Sequence, residues 1–221
     1  MRPPRPAGPS RSRDREREPV AALGPSRDDG KAGLSAIELY LARHGETEWS
    51  ANGRHTGSTD LPLTPDGEEK AAALRPRLES LHFEAVYSSP MKRARRTAEL
   101  AGFPNPQITD LLREVDYGEY EGLTSREIHE FNPSWEVYWD GSPGGETPTQ
   151  IYSRAQQFIV FASKPGGRVL AFAHGHILRA IAAAWIRADL TVASGLMLDV
   201  ATLGVLRDDG HRLITRWNAP P

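Results

Sequence analysis

Residues 168–173, Arg-Val-Leu-Ala-Phe-Ala, end a strand-like apolar run at His174-Gly175-His176, where Leu178, Ile181, Ala182 and Trp185 take up helical spacing. A strand core with no polar side belongs where both faces are covered, as in a parallel sheet with helices above and below. Two other segments repeat the pattern. Ile37, Leu39 and Leu41 alternate with Glu38 and Tyr40 before Arg43-His44-Gly45. Residues 85–89, Ala-Val-Tyr-Ser-Ser, precede Ser89-Pro90 as a helix cap, and Met91, Ala94, Ala98 and Ala101 share one helical face until Gly102. Strand, turn and helix recur, so the expected fold is α/β: a three-layer α/β/α sandwich with a mainly parallel central sheet.

The remaining elements follow from caps and spacing. Thr64 with Pro65 starts a helix expected to run to about Ser80 with a kink at Pro76. Gln107 to Thr109 is a short strand, Thr124 opens a capping-box helix to about Glu130, and Thr147-Pro148 starts a further helix with Ile151, Ala155, Phe158, Ile159 and Ala162 on its apolar face. Met197 to Val200, Leu203 to Arg207 and Arg212 to Trp217 read as closing strands. Residues 1–35 hold eight bases, five acids and six of the 18 prolines, the composition of a disordered Arg/Pro-rich tail ahead of a folded domain at 36–221.

Charge and composition exclude several roles. Net charge is −2, and with the tail near +3 the rest is near −5, which offers nucleic acid no attraction. Arg95 and Arg96 in the Arg-Ala-Arg-Arg-Thr stretch are expected on an exposed helix face. The apolar run Ile177 to Ile186 is too short to cross a bilayer, and no signal-peptide core is present. Absence of cysteine removes thiolate chemistry and fits a reducing, cytoplasmic location.

Ligands of such sheets bind where strands end and helices begin. Those junctions supply Arg43, His44, Arg93 and His174, and the helix starts add N–H groups that favour an anion. A neutral imidazole can attack phosphorus, which suits His44. Arginine forks match phosphate oxygens, which suits Arg43 and Arg93. A second histidine, His174, would stabilise charge, and a carboxyl, Glu114, would protonate the leaving oxygen and later activate water. His174 and His176 also form an H-x-H pair with metal-ligand spacing, but the neighbouring arginines would repel a cation, so no metal or cofactor is expected.

Four motifs in order, LARHGETEW, SSPMKRARRTA, LREVDYGEYEGL and AHGHILRA, resemble those of the histidine phosphatase superfamily, the phosphoglycerate-mutase-like proteins, over about residues 36 to 217. The resemblance implies His44 as the phosphorylated nucleophile, Arg43, Arg93 and His174 as its phosphate-pocket partners, and Glu114 as proton donor. It adds Ser50, Thr56, Gly57, Tyr117 and Gly175 to the substrate pocket, with Glu146 and His176 bordering it; His55, to which no motif assigns a role, is expected at the rim. Trp135, Tyr138 and Trp139 are loop aromatics expected to pack a lid.

Departures from the mutase pattern point to a branch. Ser50 stands where mutases carry Asn, Ser125 where they carry Lys, and no base lies near Trp139-Asp140. Fewer cations weaken the hold on a polyanionic mutase ligand. The segments GRHTGSTDLPLTPDG and WDGSPGGETPTQI look more like sedoheptulose bisphosphatase and acid phosphatase members. The expected activity is metal-independent hydrolysis of small phosphate esters, sugar phosphates or bisphosphates, with a phosphoglycerate mutase or an idle phosphate-binding module as alternatives. The sequence leaves a homo-oligomer open.

Overall fold

Side chains of β1 (Ile37–Arg43) alternate between two cores: Leu39 and Leu41 enter one, Ala42 and the flank of Tyr40 the other. The computed structural model describes residues 37–221; the tail predicted at 1–35 lies outside the described residues. After β1 come α1 (Glu48–Ala51), closed by a Thr47–Ser50 capping box, and α2 (Pro65–Ala72), capped by Thr64 with Pro65 in its first turn. The single kinked helix expected to Ser80 is two helices, α2 and α3 (Arg75–Leu78). Pro76 cannot donate an N–H and would crowd the carbonyl four residues back, so it sits in the first turn of a new helix.

Next come β2 (Ala85–Ser88) and α4 (Lys92–Leu100). The Ser89-Pro90 cap is displaced: α4 begins after Met91, and the Lys92 N–H donates to Asp60 Oδ1 at 2.7 Å. The chain continues through β3 (Gln107–Ile108), α5 (Ser125–Phe131), α6 (Val137–Asp140), α7 (Pro148–Ala162), β4 (Gly167–Ala173), α8 (Gly175–Trp185), β5 (Leu203–Asp208) and β6 (Arg212–Ala219). The capping box read at Thr124 is formed, and Thr147, read only as a helix start, closes a second one with Gln150. Met197 to Val200 is not a strand. There the Met197 carbonyl accepts from Trp217 Nε1 at 2.6 Å, the Leu198 carbonyl from Arg43, and the Asp199 N–H donates to Asn218 Oδ1 at 2.7 Å, so side chains take the place of a neighbouring strand.

The six strands lie in the order β3-β2-β4-β1-β5-β6. β3, β2, β4 and β1 are parallel, β5 is antiparallel to β1, and β6 is antiparallel to β5. One face packs under α7 and α8 through Ile151, Phe158, Ile177 and Ile181; the other packs under Leu74, α3 and α4 through Leu78 and Ala98. The layered α/β architecture is the one expected.

Close backbone approach fixes the loop that leaves β1. A Cβ on Gly67, in the first turn of α2, would lie 2.2 Å from the Glu46 carbonyl, and one on Gly45 would lie 2.3 Å from the Gly67 carbonyl. Neither obstacle is a flexible side-chain tip. Gly67→Ala is therefore expected to cost about 1 to 3 kcal/mol in urea unfolding. An unchanged unfolding midpoint would contradict this close approach.

Candidate active site

Arg43 and Ala173 are partners in the β1–β4 register, so Arg43-His44 and Ala173-His174 leave the sheet side by side. The His44 N–H donates to the Ala173 carbonyl at 2.9 Å, which ties the two exits together. His44 is buried, and its Nδ1 lies 2.6 Å from the Gly45 carbonyl. A carbonyl only accepts, so Nδ1 carries the proton and Nε2 keeps its lone pair. Burial, reinforced by the charges of Arg93 and Arg43, holds the His44 pKa well below the usual histidine value.

A cavity of about 160 Å³ opens beside this ring. Of the predicted residues, Arg43, His44, Glu114, Ser50, Thr56, Tyr117 and Gly175 line it, while Arg93, His174 and Gly57 adjoin it without lining it. Arg43 donates to the Leu198 carbonyl from one terminal nitrogen, and its buried Nε has no partner among the described residues. Arg93 is fully buried and held by four acceptors. Its Nε donates to His174 Nδ1 at 3.0 Å, and its terminal nitrogens donate to the carbonyls of Thr59, Thr56 and Gly57 at 2.9, 3.0 and 3.1 Å. His174 therefore carries its proton on Nε2, which donates to Ser89 Oγ at 2.8 Å. Its ring centroid lies 5.1 Å from that of His44. From the opposite side, the Glu121 carboxylate accepts the N–H groups of Gly57 and Thr59, each at 2.9 Å.

Glu114 occupies the start of α8. Its carboxylate accepts the N–H groups of His176, Ile177 and Val115 at 3.0, 2.9 and 2.9 Å. The sequence reading left these helix-start donors free for an anion; Glu114 fills them in α8, as Asp60 does in α4, because a buried N–H needs a partner. Tyr117 Oη lies 2.7 Å from His176 Nδ1. Burial pushes the Tyr117 phenol well above its usual pKa and His176 well below its own, so the phenol donates to a neutral imidazole. The H-x-H pair thus splits, His174 toward Arg93 and His176 toward Tyr117 in the cavity wall. Glu146 does not reach the cavity; it forms a bidentate pair with Arg154 at 2.8 and 2.6 Å.

Two cavity cations have no role in the sequence reading. Arg54 donates to the Gly122 carbonyl and lies 3.5 Å from Glu127, and Arg179 donates to the carbonyls of Ala193 and Ser194, both at 2.8 Å. The signal for Arg179 was its place four residues after Gly175, on the same face of the helix. Arg54 adjoins His55, whose ring packs on Tyr117 and Trp135 in the cavity wall and whose pKa burial lowers to about 4. Trp135 and Tyr138 are buried, with Trp135 Nε1 donating to the Gly141 carbonyl and Tyr138 Oη to the His176 carbonyl, so they pack the lid as expected; Trp139 is exposed. Arg95 is exposed and Arg96 pairs with Glu68 at 2.7 Å, consistent with a solvated helix face. Among the described residues no helix is long and apolar enough to cross a membrane.

A family model described as histidine phosphatase superfamily (branch 1) matches residues 39–220. The chain is 38% identical over 177 residues to an acid phosphatase of Mycobacterium tuberculosis, across 78% of this chain and 87% of that protein. It is 36% identical over 178 residues to sedoheptulose 1,7-bisphosphatase of Saccharomyces cerevisiae, across 66% of each. To phosphoserine phosphatase 1 of Hydrogenobacter thermophilus it is 30% identical over 187 residues, across 80% of this chain and 89% of that one. A solved structure of an open reading frame from Mycobacterium tuberculosis superposes with a TM-score of 0.80 at 36% identity, across 83% and 98% of the two chains.

Proposed function

Because the chain belongs to the histidine phosphatase superfamily, we propose that it hydrolyses small phosphate monoesters without a metal, through a phosphohistidine on His44. The observation that carries this reading is the His44 ring. Its Nδ1–H is fixed on the Gly45 carbonyl, its Nε2 lone pair is available at the cavity, and Arg43 lines the same cavity with its positive charge. His44 Nε2 forms the bond to phosphorus as the ester P–O bond breaks, and the leaving oxygen takes its electron pair and a proton from Glu114. Water then adds to phosphorus, Glu114 takes the water proton, and the P–N pair returns to Nε2. The charge of Arg93, felt at His44, favours the incoming dianion, and His174 steadies the ring from the side.

The preferred substrates in this reading are sugar phosphates or bisphosphates. Arg54 and Arg179 bring charge to the cavity beyond Arg43, and such charge suits a second anionic group on the substrate. The deciding experiment is phosphate release in EDTA from sedoheptulose and fructose bisphosphates, simple sugar phosphates, an aryl phosphate and 3-phosphoglycerate. A sugar bisphosphate is expected to lead. Arg179→Ala should raise KM for that substrate roughly 10-fold or more and leave KM for the aryl phosphate nearly unchanged. Equal slow turnover of every ester would replace this reading with a general phosphatase. Isomerisation of phosphoglycerate without release would replace it with a mutase.

A further inference from the structure

The segment that presents Glu114 has little regular structure of its own: short 3-10 turns at Asp110–Leu112 and Gly118–Tyr120 flank it, and no strand ladder fixes it. One ion pair does that instead. From α7, Arg154 donates Nε and a terminal nitrogen to Glu146 at 2.8 and 2.6 Å. Its terminal nitrogens also donate to the carbonyls of Arg113 at 2.6 Å, Leu111 at 3.2 Å and Glu114 itself at 3.3 Å. Glu146 completes the grip beyond Glu114, where Oε2 accepts the Asp116 N–H and the Glu146 N–H donates to the Asp116 carbonyl, both at 2.9 Å. The main chain is thus held before, at and after Glu114.

The pair is largely shielded, with 16% and 19% of the two side chains exposed. It does not line the cavity, so it touches no substrate. Its leverage is geometric. The Glu114 carboxylate meets three N–H groups, one on its own following residue and two on α8, and a shift of the segment moves that carboxylate away from the α8 donors. We propose that Arg154, through its pair with Glu146, is a positioning residue for proton transfer, setting where the Glu114 carboxyl stands against the leaving oxygen. This rests on Glu114 being the proton donor in the reading above.

The test compares an alkyl phosphate, whose leaving oxygen needs a proton, with 4-nitrophenyl phosphate, whose leaving oxygen does not. Arg154→Lys and Glu146→Gln in the full chain are expected to lower kcat/KM on the alkyl ester, which reports phosphoryl transfer to His44 and not the later entry of water, by on the order of 10- to 100-fold. On the aryl ester kcat/KM should fall by no more than about 3-fold, because the water step that also uses Glu114 comes after phosphoryl transfer. Two variants guard against one failing to fold, and Arg154→Lys should be the milder of Arg154→Lys and Arg154→Met. In a Glu114→Gln background, Arg154→Lys should not change the alkyl-to-aryl ratio further. An equal fall in kcat/KM on both esters, or no fall on either, overturns the proposal. If Glu114→Gln alone leaves the ratio unchanged, the proton-donor reading fails and takes the positioning role with it.

Discussion

His44→Ala should lose turnover on every ester by at least about 10⁴-fold and should trap no phosphoryl group, because the variant lacks the Nε2 lone pair that the Nδ1–H bond to the Gly45 carbonyl leaves available beside Arg43. The check is a radiolabelled substrate mixed with enzyme and quenched in alkali, conditions in which a phosphohistidine survives. Label retained by the wild type and absent from the variant is the expected pair of results; a variant with wild-type turnover would rule out the covalent route. The same ring governs pH dependence. Attack requires neutral imidazole, and a lowered pKa keeps the ring neutral to more acidic pH than an ordinary histidine. The acid limb of the trapping rate should therefore fall below pH 6.5, the ordinary histidine value, when burst rates are measured across pH. A limb centred at or above that value would mean that the ring is not shielded.

Arg93→Leu should unfold at markedly lower urea. The substitution keeps bulk but leaves the carbonyls of Thr56, Gly57 and Thr59 and the Nδ1 of His174 without their donor. An abandoned buried acceptor costs about 1 to 3 kcal/mol, while relief of the buried guanidinium and movement of the part-buried loop toward water offset some of that. The expected net loss is about 2 to 4 kcal/mol, together with lost activity as the 56–59 wall loosens. Undiminished stability would show that the loop is held by other contacts.

Much of this was legible in the chain. The strand patterns at 37–41 and 168–173, the capping box at Thr124, the helix start at Thr147, and the junction residues His44 and His174 are local signals, and each formed where its pattern stood. What was not legible depended on partners far away in sequence. Arg93 reads as a phosphate fork until the loop carbonyls at 56, 57 and 59 reach it. Glu146 reads as a pocket residue until Arg154 takes it, and the segment 197–200 reads as a strand until Arg43, Trp217 and Asn218 occupy its backbone groups. Pro76 announced an interruption of the helix; how large it would be was settled by packing of Leu74 and Leu78 into the core.

The 56–59 loop is gripped mainly by its main chain, carbonyls to Arg93 on one side and amides to Glu121 on the other, with one side-chain bond from Thr56 Oγ1 to the Arg54 carbonyl at 3.2 Å. A mount of that kind depends little on the side chains it carries, apart from Gly57, where a Cβ would strike the Val115 carbonyl at 2.6 Å. Thr56, the one of these residues that lines the cavity, is therefore a position at which a lineage of such enzymes can drift to new substrates while the wall stays in place, an evolvable point on a fixed frame.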